Sequence, residues 1–271
     1  SSCNNKKTIC LNMIVKNEAT IIIKTLENIH KYIDLDYWVI SDTGSTDTTI
    51  DIIKDFFYKK GIPGELVNHE WKDFGYNRSK ALECAYGKTD YVFIFDADDS
   101  IYGDFKLPFY DNDNKNNIKP YADRNILKMG TGLEYLRPLL MNNKKRWMFK
   151  GVLHEFLSNM EPVNEDQTIN GNYYIDSGRT GNRSQNPTKY YDDAILLEKA
   201  YAEEMKSPDH GLSGRYAFYC GRSYKDAGNK YFDKAIEWYK TSLISNNWVQ
   251  EKYYSALEIG IIYKEQNNTK E

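Results

Sequence analysis

Three carboxylates stand together in Phe95-Asp96-Ala97-Asp98-Asp99, directly after the apolar run Tyr91 to Phe95 (YVFIF). Acids at the end of a buried strand cost free energy unless a cation or hydrogen-bond donors compensate. A divalent metal would do so. Two Asp separated by one residue can set one oxygen toward a sugar or ribose hydroxyl and another on Mg2+ or Mn2+, and such an ion can bridge a diphosphate and stabilise it as it departs. A bare D-x-D also fits a solvated acidic loop, but open sheets bind ligands at the carboxyl ends of their strands, and this one sits at such an end. Trp38 to Asp47 (WVISDTGSTD) has the same form, a strand running into a polar turn and then a helix. Asp42 at its edge could accept hydrogen bonds from a nucleobase or ribose, and Asp42 to Thr46 reads equally as a turn with a helix cap. The two readings are compatible.

Both clusters need a sheet to hold them. The first hundred residues alternate short apolar runs with helical periodicity, the pattern of strand-helix units in a mostly parallel α/β sheet. Strands are predicted at Thr8 to Val15, Tyr37 to Ser41, Leu66 to His69 and Tyr91 to Phe95. Helices are predicted at Ala19 to Tyr32, Asp47 to Lys59 (opened by Ser45 and Thr46) and Gly75 to Tyr86. Tyr102 to Asp123 is polar and Asn-rich and reads as a loop or lid. Leu133 to Met141 and Trp147 to Leu157 are strand-like, and Ser158 to Pro187 is irregular.

From Thr188 to Tyr263 strand signals vanish and helical spacing dominates. Gly221 with Tyr224, then Ala235 with Tyr239, is close to the register of a tetratricopeptide helix pair, and Gly260 with Tyr263 repeats its first half. Gly221 and Gly260 are 39 residues apart, against about 34 in the usual repeat, so an insertion at Asp226 to Lys230 is implied. A helical cap on the sheet domain and a peptide-binding surface both fit. The division is 1–187 for the sheet domain and 188–271 for the helical region.

Composition limits the function classes. Aromatics make up 14% of the chain, with 23 Tyr, and such rings stack well on sugar faces. A net charge of −3 points to no nucleic-acid or anionic-membrane partner. Cys3, Cys10, Cys84 and Cys220 show no C-x-x-C spacing, which predicts reduced thiols in a cytoplasmic setting rather than zinc or disulfides. No apolar run reaches the length of a membrane span, and SSCNNKK is not a signal peptide.

KNEA at 16–19, SDTGSTDTT at 41–49, DFGYNRSKAL at 73–82 and FDADD at 95–99 together resemble the inverting glycosyltransferases of family 2, whose catalytic domain has the Rossmann-like GT-A fold. Leu136-Arg137 and Trp147 to Glu155 (WMFKGVLHE) extend the resemblance to a subgroup with C-terminal tetratricopeptide-like helices. The resemblance implies a nucleotide-diphosphate sugar donor, most often a UDP-hexose such as UDP-glucose, with Mn2+ or Mg2+. It spans nearly the whole chain. The acceptor expected is a hydroxyl of a protein or glycan. Position by position, the resemblance implies that Asp42 contacts base or ribose with Glu18 near the same pocket. Arg78 approaches the nucleotide from its helix, Asp96 touches ribose or sugar, and Asp98 ligates the metal, with Asp96 and His154 as further candidate ligands. A guanidinium can hold phosphate or carboxylate by two bonds, and a surface ion pair is its default role.

Inverting transfer needs a group to take the acceptor's proton. Glu155 is the first candidate. His154 suits the roles of base, acceptor contact or metal ligand, and Glu165 and Asp166 form another acidic pair. The subgroup commonly has a His after the next strand, where YYIDSGR (173–179) offers Asp176, either a harder metal ligand or a turn residue. Two alternatives remain. A sugar nucleotidyltransferase would need a Gly-rich loop that NMIVKNEA lacks, and an inactive scaffold acting through the helical tail would not need Asp96 and Asp98.

Overall fold

The computed structural model describes residues 7–107, 122–130 and 134–268. Cys3, Leu133 and the 108–121 part of the Asn-rich stretch lie outside them. The chain forms two compact units, one of residues 1–150 with 156–182 and the other of 151–155 with 183–271.

In the first unit β1 (Ile9–Val15), α1 (Ile22–Tyr32), β2 (Tyr37–Asp42), α2 (Thr49–Lys60), β3 (Gly64–Asn68), α3 (Phe74–Ala85) and β4 (Tyr91–Ile94) follow the predicted alternation. The strands form because apolar, β-branched runs find both faces covered: Ile9, Leu11, Val39, Ile40, Val92 and Phe93 are all buried. α1 buries one stripe, Ile22, Thr25, Leu26 and Ile29. α2 ends where Gly61 takes φ 65° and its N–H reaches the carbonyls of Phe57 and Tyr58. Trp38 stacks on Phe57 with centroids 4.5 Å apart, fixing α2 to β2.

Five further strands follow, β5 (Asp99–Gly103), β6 (Arg124–Met129), β7 (Tyr135–Asn142), β10 (Asp166–Thr168) and β11 (Tyr173–Ser177), and among the described residues the main sheet has nine strands, in order β3-β2-β1-β4-β7-β6-β11-β5 with β10 beside β6. β3, β2, β1 and β4 are mutually parallel. The chain marches outward from β1 to β3 and then returns to the other side of β1 for β4. Strand order therefore reverses between β1 and β4, and the crevice beyond their carboxyl ends is the place where such sheets hold ligands. β7 (Tyr135–Asn142) runs antiparallel to β4 and to β6 (Arg124–Met129). β11 (Tyr173–Ser177) runs antiparallel to β5 (Asp99–Gly103).

Several expectations are corrected. Strands β5, β6, β10 (Asp166–Thr168) and β11 fall in stretches read as loop or irregular, or given no strand. Ser45 and Thr46 do not cap α2, which starts at Thr49. Instead Ser45 Oγ accepts from Asn17 N–H at 3.0 Å, and Thr46 N–H donates to Asn17 Oδ1 at 2.7 Å. The strand predicted over 147–157 is two short ones, β8 (Trp147–Lys150) and β9 (Phe156–Asn159), paired as a separate hairpin. The break is conformational: Gly151 has φ 104° and His154 φ 52°, which no strand accommodates.

The second unit contains α4 (Lys189–Glu204), α5 (Ser213–Asp226), α6 (Phe232–Ile244) and α7 (Val249–Asn268). A Cβ on Gly221 would lie 2.9 Å from the Tyr239 ring and 3.1 Å from Ala235 O, so the Gly221, Ala235 and Tyr239 spacing encodes a close α5–α6 contact. Gly260 does not repeat it: nothing described lies within 4 Å of its would-be Cβ, and Tyr263 is exposed. No helix among the described residues is long and apolar enough to cross a membrane. Cys10, Cys84 and Cys220 are free thiols, and burial pushes Cys10 up to about 12, which makes it inert as a nucleophile.

Candidate active site

Four of the predicted residues gather along the carboxyl edge of the parallel strands. Val15, Asp42 and Asn68 are in register across β1, β2 and β3, and the chain beyond β1 carries Glu18 while that beyond β4 carries Asp96 and Asp98. Two loops at this edge are sewn together. Asn17 bonds Ser45 and Thr46 as described, Glu18 N–H donates to Thr49 Oγ1 at 2.8 Å, and Ala19 N–H donates to Asp47 Oδ2 at 3.2 Å. Those bonds set where Glu18 points. Asp42 is buried, and its carboxylate accepts the N–H groups of Gly44 at 3.0 Å and Ser45 at 3.1 Å, so the turn reading of SDTGS holds. Unforeseen from sequence, His69 donates its N–H to Asp42 O at 3.1 Å, and its Nδ1 shares a 2.9 Å hydrogen bond with Ser41 Oγ.

The three acids after β4 have different surroundings. Asp96 Oδ1 lies 2.6 Å from Arg78 Nη2, and Oδ2 lies 3.6 Å from Arg137 Nη1. Burial pushes Asp96 upward, yet Arg78 and Arg137 outweigh it and hold the carboxyl below the usual Asp range. Arg137 was not assigned a role from sequence. β4 pairs with β7 as Tyr91↔Asn142, Val92↔Met141 and Phe93↔Leu140, and three more steps of that register set Arg137 opposite Asp96.

Asp98 pairs with no arginine among the described residues: its Oδ2 accepts Gly181 N–H at 3.0 Å and its carbonyl accepts Gly178 N–H at 3.1 Å. Glu18 accepts Asn182 N–H at 3.2 Å and is raised, first by burial and then, against that bond, by Asp98 and Asp47. Asp99 is 1% exposed, with no hydrogen-bond partner for Oδ1 among the described residues. Burial, with the charges of Asp96 and Asp98, pushes it up to about 8. From α1, Thr25 Oγ1 donates to Ala97 O at 2.6 Å, and the Asn28 side chain bonds both N–H and C=O of Ile101. The acidic loop is thus held from both ends.

Asp99 makes stability depend on pH. Its folded value lies above the ordinary 3.8, so the stability this proton contributes is complete below that value and is lost as pH rises through about 8. Asp99→Asn mimics the protonated acid. In metal-free buffer its melting temperature should exceed that of the wild type by several degrees at pH 8, and the gap should shrink at pH 5. An equal gap at both pH values would rule out this assignment.

The Glycosyl transferase family 2 model matches residues 10–159, more than half of the chain, including Glu18, Asp42, Arg78, Asp96, Asp98 and Arg137. The chain belongs to glycosyl transferase family 2. It is 26% identical over 257 residues to SPbeta prophage-derived glycosyltransferase SunS of Bacillus subtilis strain 168, covering 89% of this chain and 54% of the relative. Glycosyltransferase SunS of Bacillus phage SPbeta matches with the same figures. The chain therefore spans about half the length of these curated relatives. Among solved structures it is similar to S. aureus TarS 1-349 in complex with UDP-GlcNAc, with TM-score 0.45, 14% identity, and 87% and 81% of the two chains covered. Glucosyl-3-phosphoglycerate synthase from Mycobacterium tuberculosis, in complex with Mn2+, UDP and glucosyl-3-phosphoglycerate, gives TM-score 0.27 and 22% identity over 34% of each chain. At those TM-scores neither likeness carries an argument about donor or ion.

Within this family 2 chain the acid-base candidates lie in different places. Glu155 and His154 belong to the second unit. His154 stacks on Tyr219 with centroids 4.0 Å apart, and its carbonyl accepts Arg215 Nη2 at 2.8 Å. Its residue surface is exposed, yet the hydration its ring loses, followed by the charges of Arg222, Arg215, Arg183 and Lys189, holds the imidazole below its ordinary value. It is neutral at physiological pH. Asp166 pairs with Arg124. Asp166↔Arg124, Arg124↔Met141 and Met141↔Val92 set Asp166 and Glu165 level with the start of β4, two strands away from it, at the sheet edge opposite the one that carries Asp98. Asp176 is a β11 residue opposite Ser100 rather than a turn residue.

A divalent cation suits the acidic loop. Among the described residues Asp98 forms no ion pair and Asp99 keeps an orphaned buried oxygen, and the carboxylates raise one another's proton affinity. Among the described residues no three His, Cys, Asp or Glu side chains form a ready cage, but an ion that carries a diphosphate takes much of its coordination from phosphate and water.

Proposed function

We propose that this chain transfers a hexose from a UDP-hexose such as UDP-glucose to a hydroxyl of a protein or glycan, with inversion. The observation that supports this most is the gathering of Glu18, Asp42, Asp96 and Asp98 at the β1/β4 crevice of a family 2 domain. Asp42 and Glu18 form the nucleoside end of the donor pocket, with Asp42 on base or ribose. Asp96, held by Arg78 and Arg137, takes a ribose or sugar hydroxyl, and Arg78 supports the nucleotide from α3 through it. Asp98, with Asp96, would hold Mn2+ or Mg2+, which would neutralise charge at the departing diphosphate. His154 is a further candidate ligand.

The acceptor oxygen attacks the anomeric carbon from the face opposite the diphosphate. The new C–O bond forms as the bond to the phosphate oxygen breaks, and Glu155 takes the hydroxyl proton. His154, neutral, orients the acceptor. In this reading 1–187 is the GT-A catalytic domain and 188–271 a tetratricopeptide-like region that engages the acceptor or a partner.

Incubating the protein with a panel of UDP- and GDP-sugars and Mn2+ should release UDP from one UDP-hexose above background. Absence of turnover with every donor, together with no metal-dependent nucleotide binding, would refute the proposal and favour a scaffold.

A further inference from the structure

Beyond β11 the chain doubles back over Asp98. Gly178 and Gly181 each donate an N–H to this one residue, to its carbonyl at 3.1 Å and to Oδ2 at 3.0 Å. The segment Gly178-Arg179-Thr180-Gly181 is therefore a bridge pinned at both ends, with exposed Arg179 and Thr180 at its tip. The backbone leaves no room for a side chain at Gly178, and at Gly181 one would press on the two carboxylates. A Cβ on Gly178 would lie 2.2 Å from Asp98 O, and one on Gly181 would lie 3.1 Å from Asp98 Oδ2 and 3.3 Å from Glu18 Oε1.

At the tip Arg179 takes φ 51°, the left-handed region that glycine enters freely and a long side chain enters at an energetic cost. Such a cost persists where surrounding bonds over-determine the backbone, and it is often retained for function. The Arg179 guanidinium has no ion pair or hydrogen bond among the described residues. Arg78 and Arg137, the other arginines at this edge, are both turned onto Asp96.

We propose that Arg179 is a donor-binding residue whose guanidinium holds the β-phosphate of the nucleoside diphosphate. This rests on the donor-site reading above. A diphosphate bound at Asp98 through a divalent ion still carries excess negative charge, and a guanidinium matches two phosphate oxygens with parallel N–H donors. The bridge anchors that group to Asp98 itself, so ion site and phosphate clamp keep a fixed spacing.

The test measures UDP and UMP binding by calorimetry in Mn2+ for wild type, Arg179→Gly and Arg179→Lys. Arg179→Gly should weaken UDP about tenfold, the scale of one charge-assisted pair, while UMP changes little. Arg179→Lys should retain part of the preference for UDP. The glycine variant should melt no lower than wild type, because it relieves φ. UDP binding unchanged in Arg179→Gly, or a loss shared equally by UMP, would overturn the assignment. If wild type binds neither nucleotide, the donor-site reading itself fails, and this proposal with it.

Discussion

Asp98→Asn should lower transfer about a thousandfold, the scale of removing one fixed charge-stabilising group from a transition state, while leaving the melting temperature unchanged or slightly higher. The substitution keeps the size of the side chain, and the amide oxygen can still accept Gly181 N–H. Only the charge is lost. That charge raises Glu18 and Asp99 in the metal-free protein, so its removal relieves repulsion within the fold. Activity and stability should therefore move independently, and the Mn2+ concentration for half-maximal rate should rise. Turnover within twofold of wild type would sink the assignment of Asp98 as the principal ion ligand.

The second large effect is on stability. Arg78→Met removes the 2.6 Å partner of Asp96, with the two side chains only 10% and 24% exposed. Breaking one side of such a pair leaves a charge stranded and costs about 3 to 5 kcal/mol when burial is complete. Arg137 remains at 3.6 Å, so we expect the lower end of that range, about 3 kcal/mol, in urea denaturation. Asp96→Asn made in the Arg78→Met background should return most of the loss, since the stranded carboxylate charge is then gone and the group that loses a partner, Arg137, is 31% exposed. Transfer should stay low in both variants. Additivity across this double-mutant cycle would mean that the two side chains do not depend on each other.

The parallel half of the sheet was legible because each of its strands is a short apolar run followed by a periodic helix, and burial on both faces makes that signal continuous. β5, β6, β10 and β11 were not. β5 opens on Asp99 and ends on exposed residues, and its partner β11 lies some seventy residues further on, so local periodicity carries little of the pairing. At 147–157 aromatic content suggested one strand, whereas the positive φ of Gly151 and His154 makes a turn.

The acids of the site were legible as residue types at a strand end. Their differences were not. Arg137 meets Asp96 only through an antiparallel register set by β4 and β7, and the two glycines over Asp98 look in the sequence like ordinary loop residues. Asp166 shows the converse, an acidic pair plausible by type that the sheet register places at the wrong edge.

The turn Gly151 to Glu155 groups with the helices, although both its flanking strands lie in the sheet unit. A gene fragment ending at residue 182 would keep these five residues but lose Tyr216, whose hydroxyl accepts Val152 N–H at 3.3 Å, and Tyr219, on which His154 rests. The helices, expressed alone, would lack the peptide that docks on them. The two halves of this polypeptide are interleaved in sequence, so recombination at a single crossover cannot exchange either one intact, and inheritance should keep them together.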